Sequence, residues 1–391
     1  MKISSIRSLV VNAGMRNWIF VCVETNIPGL YGWGEATLEW KTRSVVGAVE
    51  DLSELLIDED PRNITHCMHW MRKGSFWRLG SIGQSAASAI EMALWDINGK
   101  DLGVPVWRLL GGKVRDKVRL YAHLGMGDMD AVYHSFAGEA LIEHCAALRE
   151  KGYTAAKIVN APYSHYLSEL AAVDAFAKSV HALREAAGSD FDVMIDFHGR
   201  PPSARVALDY IEAVRDARLL FIEEPVPPGD TAALSFVRQK SPLAIASGER
   251  LIEPAEFEEI LSARAVDIIQ PDLCHCGGLT EGRRIAQRAE LLGIGVAPHN
   301  PAGPVASAAA LHFAVATPNH VIQEEMSGAV PWFHDVVALN PLVSINGYWE
   351  VPTTPGLGIE INENEAKRHP FEREKLQTRN AVLSDGTITN W

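Results

Sequence analysis

Six acidic or histidine residues recur along the middle of the chain, each at the end of a short apolar run. Consecutive members are 23 to 27 residues apart, about the length of one strand, one helix and two short loops. The spacing therefore predicts that they lie at one end of successive parallel strands, where a (β/α)8 barrel carries its active site. The six are Asp196, Glu223, Glu249, Asp272, His299 and Glu324.

The first three members are carboxylates, and at one barrel mouth they would repel one another unless a cation neutralised them. An all-oxygen ligand set suits Mg2+ better than Zn2+. We therefore predict that Asp196, Glu223 and Glu249 bind one Mg2+ per subunit. The alternative for any single acid is a helix cap or an ion pair, for example with Arg200 or Arg250. Three acids at consecutive strand ends favour the metal site.

Asp272 and His299 end adjacent predicted strands, so the aspartate can orient the imidazole as a general base. His198 stands two residues after Asp196, which places both side chains on one face and brings His198 into the mouth. Two histidines beside a metal suggest one base and one acid. Lys157, at the end of another predicted strand, either balances negative charge near the metal or ion-pairs with Asp196.

Eight apolar runs rich in Val and Ile alternate with helical patterns between about residues 118 and 325. Strands buried on both faces have this composition, and eight of them close a barrel. We predict a barrel domain over residues 118–325. The predicted strands are 118–123, 154–160, 192–197, 219–223, 243–247, 266–270, 294–298 and 321–324.

Residues 1–117 do not follow this period. Two alternating segments, 3–11 and 18–25, predict antiparallel strands, and helical spacing follows at 44–56 and 85–100. This order predicts a separate α+β domain. Residues 326–391 are rich in turn signals and are expected to fold back on that first domain.

Bulk composition narrows the class of protein. The chain has 391 residues, of which 47% are hydrophobic and 22% charged, as in a soluble globular protein. A net charge of −13 argues against a nucleic acid or an anionic membrane as partner. Five cysteines do not form a disulfide framework, and no run resembles a signal peptide or a membrane span, so we expect a cytoplasmic protein.

Further short motifs accompany the six residues, including Gly32-Trp33-Gly34-Glu35, Ala93-Leu94-Trp95-Asp96 and Pro355-Gly356-Leu357-Gly358. With the motifs around the six residues, they resemble the enolase superfamily, mandelate racemase subgroup, and within it the sugar-acid dehydratases of galactonate dehydratase type. The motifs of the series are Asp196-Phe197-His198-Gly199-Arg200, Ile222-Glu223-Glu224-Pro225, Gly248-Glu249-Arg250, Gln270-Pro271-Asp272, Ala297-Pro298-His299 and Gln323-Glu324.

The resemblance implies a modified TIM barrel with an N-terminal α+β capping domain that the C-terminal segment completes. It implies an aldonate dehydratase that forms a 2-keto-3-deoxy sugar acid. His299 would remove the C2 proton, Glu324 would hydrogen-bond the substrate carboxylate, and His198 would protonate the leaving 3-hydroxyl. It also implies a homo-oligomer, since such relatives are commonly octamers.

Two features leave the substrate and the reaction open. Many relatives carry a second lysine where Val159 stands, so a two-base racemase loses one base here. Phe76-Trp77-Arg78 and the ending 384–391 are more similar to mannonate dehydratases, so the substrate could be galactonate-like or mannonate-like. The alternatives are an epimerase or racemase on the same metal site and, less favoured, a non-catalytic sugar-acid binding protein.

Loops over the mouth of a barrel usually determine its specificity. We expect residues 37–43, 74–82 and 160–166 to cover the substrate. The candidate substrate-binding residues are Trp40, Trp77, Arg78 and Arg250.

Overall fold

The computed structural model describes residues 1–125, 138–374 and 381–390. The chain begins with an antiparallel three-stranded sheet in which the central strand pairs with both neighbours. Four helices follow the sheet, so the predicted α+β arrangement is confirmed. The elements are strands β1 (Ile3–Asn12), β2 (Asn17–Thr25) and β3 (Tyr31–Glu35) and helices α1 (Thr42–Ser53), α2 (Ile64–Lys73), α3 (Gly80–Leu102) and α4 (Val106–Leu109).

Helix α3 packs directly on β3, and two glycines make this close approach possible. A Cβ atom on Gly32 would lie 2.1 Å from the carbonyl oxygen of Ala93. A Cβ atom on Gly34 would lie 1.8 Å from the carbonyl oxygen of Ala89. Any larger side chain would push the helix away from the sheet, because real atoms do not approach so closely. The alternating glycines of the Gly-Trp-Gly-Glu motif therefore set the distance between these two layers.

The eight predicted barrel strands are present in the described part of the chain. Neighbouring strands run parallel from β4 to β10, and β11 pairs with β4. A parallel bridge between Val296 and His320 joins β10 to the residues just before β11 and so closes the barrel. The strands are β4 (Lys117–His123), β5 (Ala155–Val159), β6 (Asp192–Asp196), β7 (Ile222–Glu223), β8 (Ile245–Ser247), β9 (Ile268–Ile269), β10 (Gly295–Val296) and β11 (Gln323–Glu325).

The helices between these strands begin at recognisable signals. The Ser203 side chain accepts the N–H of Val206, and Glu253 forms a capping box with Glu256 in front of a helix that begins at Pro254. Apolar side chains from strands and helices form the outer core, while a second cluster fills the barrel interior. The helices are α5 (Gly138–Glu150), α6 (Leu170–Ala187), α7 (Ala204–Ala213), α8 (Thr231–Lys240), α9 (Pro254–Ser262), α10 (Gly278–Leu291) and α11 (Pro304–Ala316).

The C-terminal segment contacts both preceding parts of the chain. One of its strands pairs antiparallel with the first barrel strand, placing Trp349 opposite Val118. The Glu360 carboxylate accepts hydrogen bonds from the Tyr31 hydroxyl and the Trp33 indole of the first domain, which confirms the predicted return. The elements of this segment are β12 (Val337–Leu339), β13 (Ser344–Ile345), β14 (Tyr348–Glu350), β15 (Glu360–Ile361) and α12 (Glu363–Ala366).

None of the helices in the described ranges combines the length and the apolar character that a membrane crossing requires.

Candidate active site

Three carboxylates of the series converge at one end of the barrel. Asp196 ends β6 and pairs in register with Glu223, which ends β7. Glu249 lies just beyond the end of β8. One carboxylate oxygen from each residue lies within 4.8 Å of those from the other two. This cluster could therefore hold a metal ion.

The electrostatics of the cluster fit a cation. Burial and the nearby Asp196 raise the pKa of Glu223, and burial with the carboxylates of Glu224, Asp196 and Glu223 raises the pKa of Glu249 well above its usual value. Within the described residues, one buried oxygen of Glu223 and one of Glu249, Oε2 in each case, accept no hydrogen bond. A hard divalent cation such as Mg2+ would satisfy both oxygens and remove the repulsion.

Lys157 on β5 lies among these acids and is almost fully buried. Its Nζ lies 2.6 Å from Oε1 of Glu223, 3.2 Å from Oε1 of Glu324 and 3.7 Å from Oδ2 of Asp196. Burial opposes the charged ammonium, but these carboxylates outweigh it and raise the pKa of Lys157 well above its usual value. The lysine balances several acids at once, and its nearest partner is Glu223 rather than Asp196.

Asp272 and His299 form the pair that the sequence predicts. Nδ1 of His299 lies 2.8 Å from Oδ2 of Asp272, and the other aspartate oxygen accepts the backbone N–H of Cys274. Burial lowers the pKa of His299, but the Asp272 hydrogen bond and the charge of Glu324 outweigh it and raise the pKa to about 9. Because Nδ1 donates its proton to Asp272, Nε2 of the neutral imidazole is the basic nitrogen.

His198 and His299 each lie beside a different carboxylate of this cluster. Its Nε2 lies 3.0 Å from Oδ2 of Asp196, whereas Nε2 of His299 lies 3.8 Å from Oε2 of Glu249. The backbone of His198 has a φ of 51°, a left-handed conformation that is unfavourable for histidine. Its own N–H donates to Oδ1 of Asp196 at 2.8 Å and helps to hold this geometry.

Glu324 on β11 is fully buried and accepts hydrogen bonds from several directions. Oε2 accepts the N–H of Asn300 at 2.6 Å, and Oε1 lies 2.5 Å from Nε2 of His123. Burial opposes its ionisation, but Lys157 and the two histidines nearby hold the pKa of Glu324 well below its usual value. His123 is a site residue that was not predicted from the sequence. Its position as the last residue of β4 was an available signal, because the other strand ends carry the site.

These groups, apart from Glu223 and Asp272, line one cavity of about 350 Å³. The strand-end residues among them form its floor. Part of its roof comes from the N-terminal domain, so two separate parts of the fold enclose one site. The roof residues are Met15, Arg16, Leu38, Glu39, Trp40 and Ser81.

The predicted substrate-binding residues fall into two groups. Trp40 and Arg250 line the cavity, and Arg250 binds Glu224 through two nitrogens at 2.8 and 2.6 Å. Trp77 is 78% exposed, and neither Trp77 nor Arg78 is among the described residues that line the cavity. The side chain at Arg78 is likewise exposed.

The predicted cover loops also differ in position. Residues 37–43 and 74–82 contribute to the described lining, whereas residues 160–166 do not. Instead Ser164 hydrogen-bonds Tyr210 behind the strands. The turn between β1 and β2 supplies Met15 and Arg16, which the sequence analysis did not single out.

A parallel α/β barrel with carboxylates, a histidine–aspartate pair and a lysine at its strand ends defines a class of enzymes with a metal-binding acidic site. Residues 140–366 match the family described as enolase C-terminal domain-like, and residues 9–111 match the mandelate racemase/muconate lactonizing enzyme N-terminal domain. The chain belongs to this family of the enolase superfamily, as its motifs predict.

A D-galactonate dehydratase from Cronobacter sakazakii is 36% identical over 381 residues, covering 96% of both chains. An enolase-superfamily protein from Agrobacterium radiobacter, provisionally assigned as a galactarate dehydratase and crystallised with sodium and L-malate, has a TM-score of 0.89 at 30% identity over the whole of both chains. A mandelate racemase/muconate lactonizing enzyme from Jannaschia sp. CCS1 has a TM-score of 0.87 at 33% identity, covering 95% of this chain and 98% of that one. The predicted fold and enzyme class, a lyase, are confirmed.

Proposed function

We propose that the protein is a Mg2+-dependent dehydratase of an aldonate. The enzyme would take the proton from C2, expel the hydroxyl from C3 and release a 2-keto-3-deoxy sugar acid. The observation that carries the proposal is the placement of His299 and His198 on one cavity, each beside a different carboxylate of the triad. A base and an acid at separate positions along a substrate are what an elimination needs.

The first step is removal of the C2 proton. A proton beside a carboxylate is weakly acidic, because its loss puts further negative charge on the group. Nε2 of His299 would accept this proton, while Asp272 holds the ring and stabilises the imidazolium that forms. The neutral form of His299 is the active base, so its imidazole must be deprotonated before each turnover.

The negative charge that develops on the substrate carboxylate needs fixed partners. Asp196, Glu223 and Glu249 would hold Mg2+, which supplies Lewis-acid stabilisation of that charge when bound. Lys157 contributes a permanent positive charge at the same place. Glu324, which Lys157 and the nearby histidines keep ionised, would have to take up a proton in the substrate complex to hydrogen-bond the carboxylate oxygen that becomes anionic.

The second step is loss of the C3 hydroxyl. The C3–O bond breaks as His198 gives its proton to the departing oxygen, so water leaves and an enol remains. The enol then tautomerises to the 2-keto-3-deoxy product. General acid assistance of this kind contributes roughly 10²–10⁴-fold to a rate.

Two further observations support elimination over racemisation. Val159 lines the cavity where a second lysine base stands in many relatives, and its side chain cannot transfer a proton. The D-galactonate dehydratase from Cronobacter sakazakii matches the chain along 96% of its length. That relative and the Agrobacterium radiobacter protein are named for hexonate and hexarate substrates respectively.

The test is incubation of the purified protein and Mg2+ with a stereochemical panel of pentonates, hexonates and hexarates. We expect a 2-keto-3-deoxy product from one aldonate or a few related ones. Parallel reactions in D2O would reveal proton exchange at C2. Deuterium in recovered substrate of inverted configuration, without keto product, would instead establish an epimerase.

A further inference from the structure

Arg16 and Glu39 form an ion pair in the roof of the cavity. Nη1 of Arg16 lies 2.5 Å from Oε1 of Glu39, and the Arg16 side chain is only 8% exposed. Arg16 comes from the turn between β1 and β2, and Glu39 from the segment that follows β3. Both residues line the cavity. The capping domain therefore presents one positive and one negative group to any molecule in the site.

The pair is attached to the barrel beside the catalytic base. Nη1 of Arg16 also donates to the carbonyl oxygen of Pro301 at 2.6 Å, two residues beyond His299. Burial opposes the ionisation of Glu39, but Arg16, followed by His275 and His299, outweighs it and lowers the pKa of Glu39. The carboxylate is thus held ionised near the base, on the roof side of the site.

The charges around the cavity are compensated in pairs. Among the described residues that line it, Lys157 contacts Glu223, Arg250 contacts Glu224, and Arg16 contacts Glu39. These three are the lysines and arginines of that lining, so each already has a carboxylate partner.

A substrate carboxylate buried in a protein needs a cation or several hydrogen-bond donors. Lys157 and the metal-binding triad can receive one such group on the floor of the cavity. A second carboxylate near the roof would meet Arg16 already neutralised by Glu39, and would approach Glu39 itself. Hydroxyl groups fit this place better, because each can donate to the glutamate and accept from the arginine.

We propose that Arg16 and Glu39 form a subsite for the hydroxylated end of the substrate on the roof side of the cavity, and that Glu39 excludes a second carboxylate there. The inference rests on the proposed dehydratase function and deepens it. It assigns a monocarboxylate substrate and names the residue that rejects the corresponding dicarboxylate.

The test compares a hexonate with the hexarate of the same configuration at carbons 2 to 5, using the wild type and the Glu39→Gln variant. We expect the wild type to prefer the hexonate. Glu39→Gln frees the Arg16 guanidinium, so the ratio of kcat/KM for hexarate over hexonate should rise on the order of tenfold or more. Arg16→Met should weaken the hexonate reaction, mainly through KM, without any gain for the hexarate.

The control is Glu50→Gln, which makes the same charge change on an exposed residue of helix α1. Calorimetric binding of both acids to the Mg2+-loaded proteins gives a readout that does not depend on turnover. Equal preference of the wild type for the two acids, or no larger shift in Glu39→Gln than in Glu50→Gln, would overturn the subsite. Absence of turnover with a clear binding preference would instead count against the dehydratase function and leave the subsite supported.

Discussion

Glu91 of the capping domain accepts the backbone N–H of Leu279 at 2.8 Å, at the N-terminus of barrel helix α10. Its other oxygen accepts the N–H of Thr280 at 2.9 Å. Glu35 does the same for helix α11, accepting from Gly303 at 2.6 Å and from Ala306 at 2.8 Å. Both glutamates are fully buried.

The two capped helices follow the segments that carry Asp272 and His299. A carboxylate at a helix N-terminus satisfies unpaired N–H groups and favourably opposes the helix dipole. The capping domain therefore packs against the N-termini of the two helices that follow Asp272 and His299. Any movement of this contact would change the positions of these two residues.

Replacing Glu91 with Gln should alter the pH dependence of stability. Burial raises the pKa of Glu91 from 4.5 to about 7, although its hydrogen bonds oppose this. The folded protein therefore holds this proton more tightly than the unfolded chain. Stability should fall as pH rises from about 4.5 to about 7, by at most about 3 kcal/mol, and should then level off.

Thermal unfolding of wild type and Glu91→Gln at about pH 5 and pH 8 measures this difference. The variant loses a hydrogen-bond acceptor and should be less stable than the wild type at pH 5. Its thermal unfolding midpoint should fall less than that of the wild type between pH 5 and pH 8. Glu50→Gln, on the exposed face of α1, should keep the wild-type dependence. Parallel curves for Glu91→Gln and wild type would contradict the prediction.

Mg2+ should stabilise the folded protein, because it would neutralise the repelling carboxylates of the triad. At a concentration of one hundred times Kd, linkage predicts about 2.7 kcal/mol of stabilisation. Glu249→Gln removes one ligand oxygen and one buried negative charge. The metal-free variant should be at least as stable as the wild type, while its stabilisation by Mg2+ should shrink.

Thermal unfolding with EDTA and with a Mg2+ titration distinguishes these effects. Glu50→Gln again provides the matched change of charge away from the site. An unchanged Mg2+ response in Glu249→Gln would show that the ion does not bind at this triad.

His198→Asn should separate the two steps of the proposed reaction. Loss of the acid removes assistance to the departing hydroxide, so formation of keto acid should fall by roughly 10²–10⁴-fold. His299 and Asp272 remain in place, so exchange of the C2 proton with solvent should continue. Proton NMR in D2O with a substrate identified in the panel measures both rates, and full elimination by the variant would refute the assignment of the acid.

Asp272→Asn should give a different pattern, with both exchange and elimination reduced. The variant removes the carboxylate that orients His299 and stabilises its imidazolium. We expect losses on the order of 10²–10⁴-fold in both rates, with Mg2+ stabilisation of the fold retained. His299→Asn should show the same pattern, and rapid exchange in either variant would mean that another group removes the proton.

The repeated spacing of Asp196, Glu223, Glu249, Asp272 and His299 was sufficient to predict the barrel and the residues at its mouth. In a barrel of parallel strands, residues that are spaced at a nearly constant interval along the chain come together at the same end of the barrel. A period of this kind is local information, and each strand can be recognised from its own apolar run. The convergence of the three carboxylates and the histidine–aspartate pair therefore follow from the amino-acid sequence.

Only the tertiary structure determined which side chains of the capping domain line the cavity and how the other charged side chains around it are paired. Arg16 and Pro301, for example, are 285 residues apart in the chain. No period relates such pairs, because their contact depends on how the capping domain docks and on which rotamers the packing allows. The same reason explains why Arg250 binds Glu224 and why Trp77 is exposed, which their positions in the sequence did not reveal.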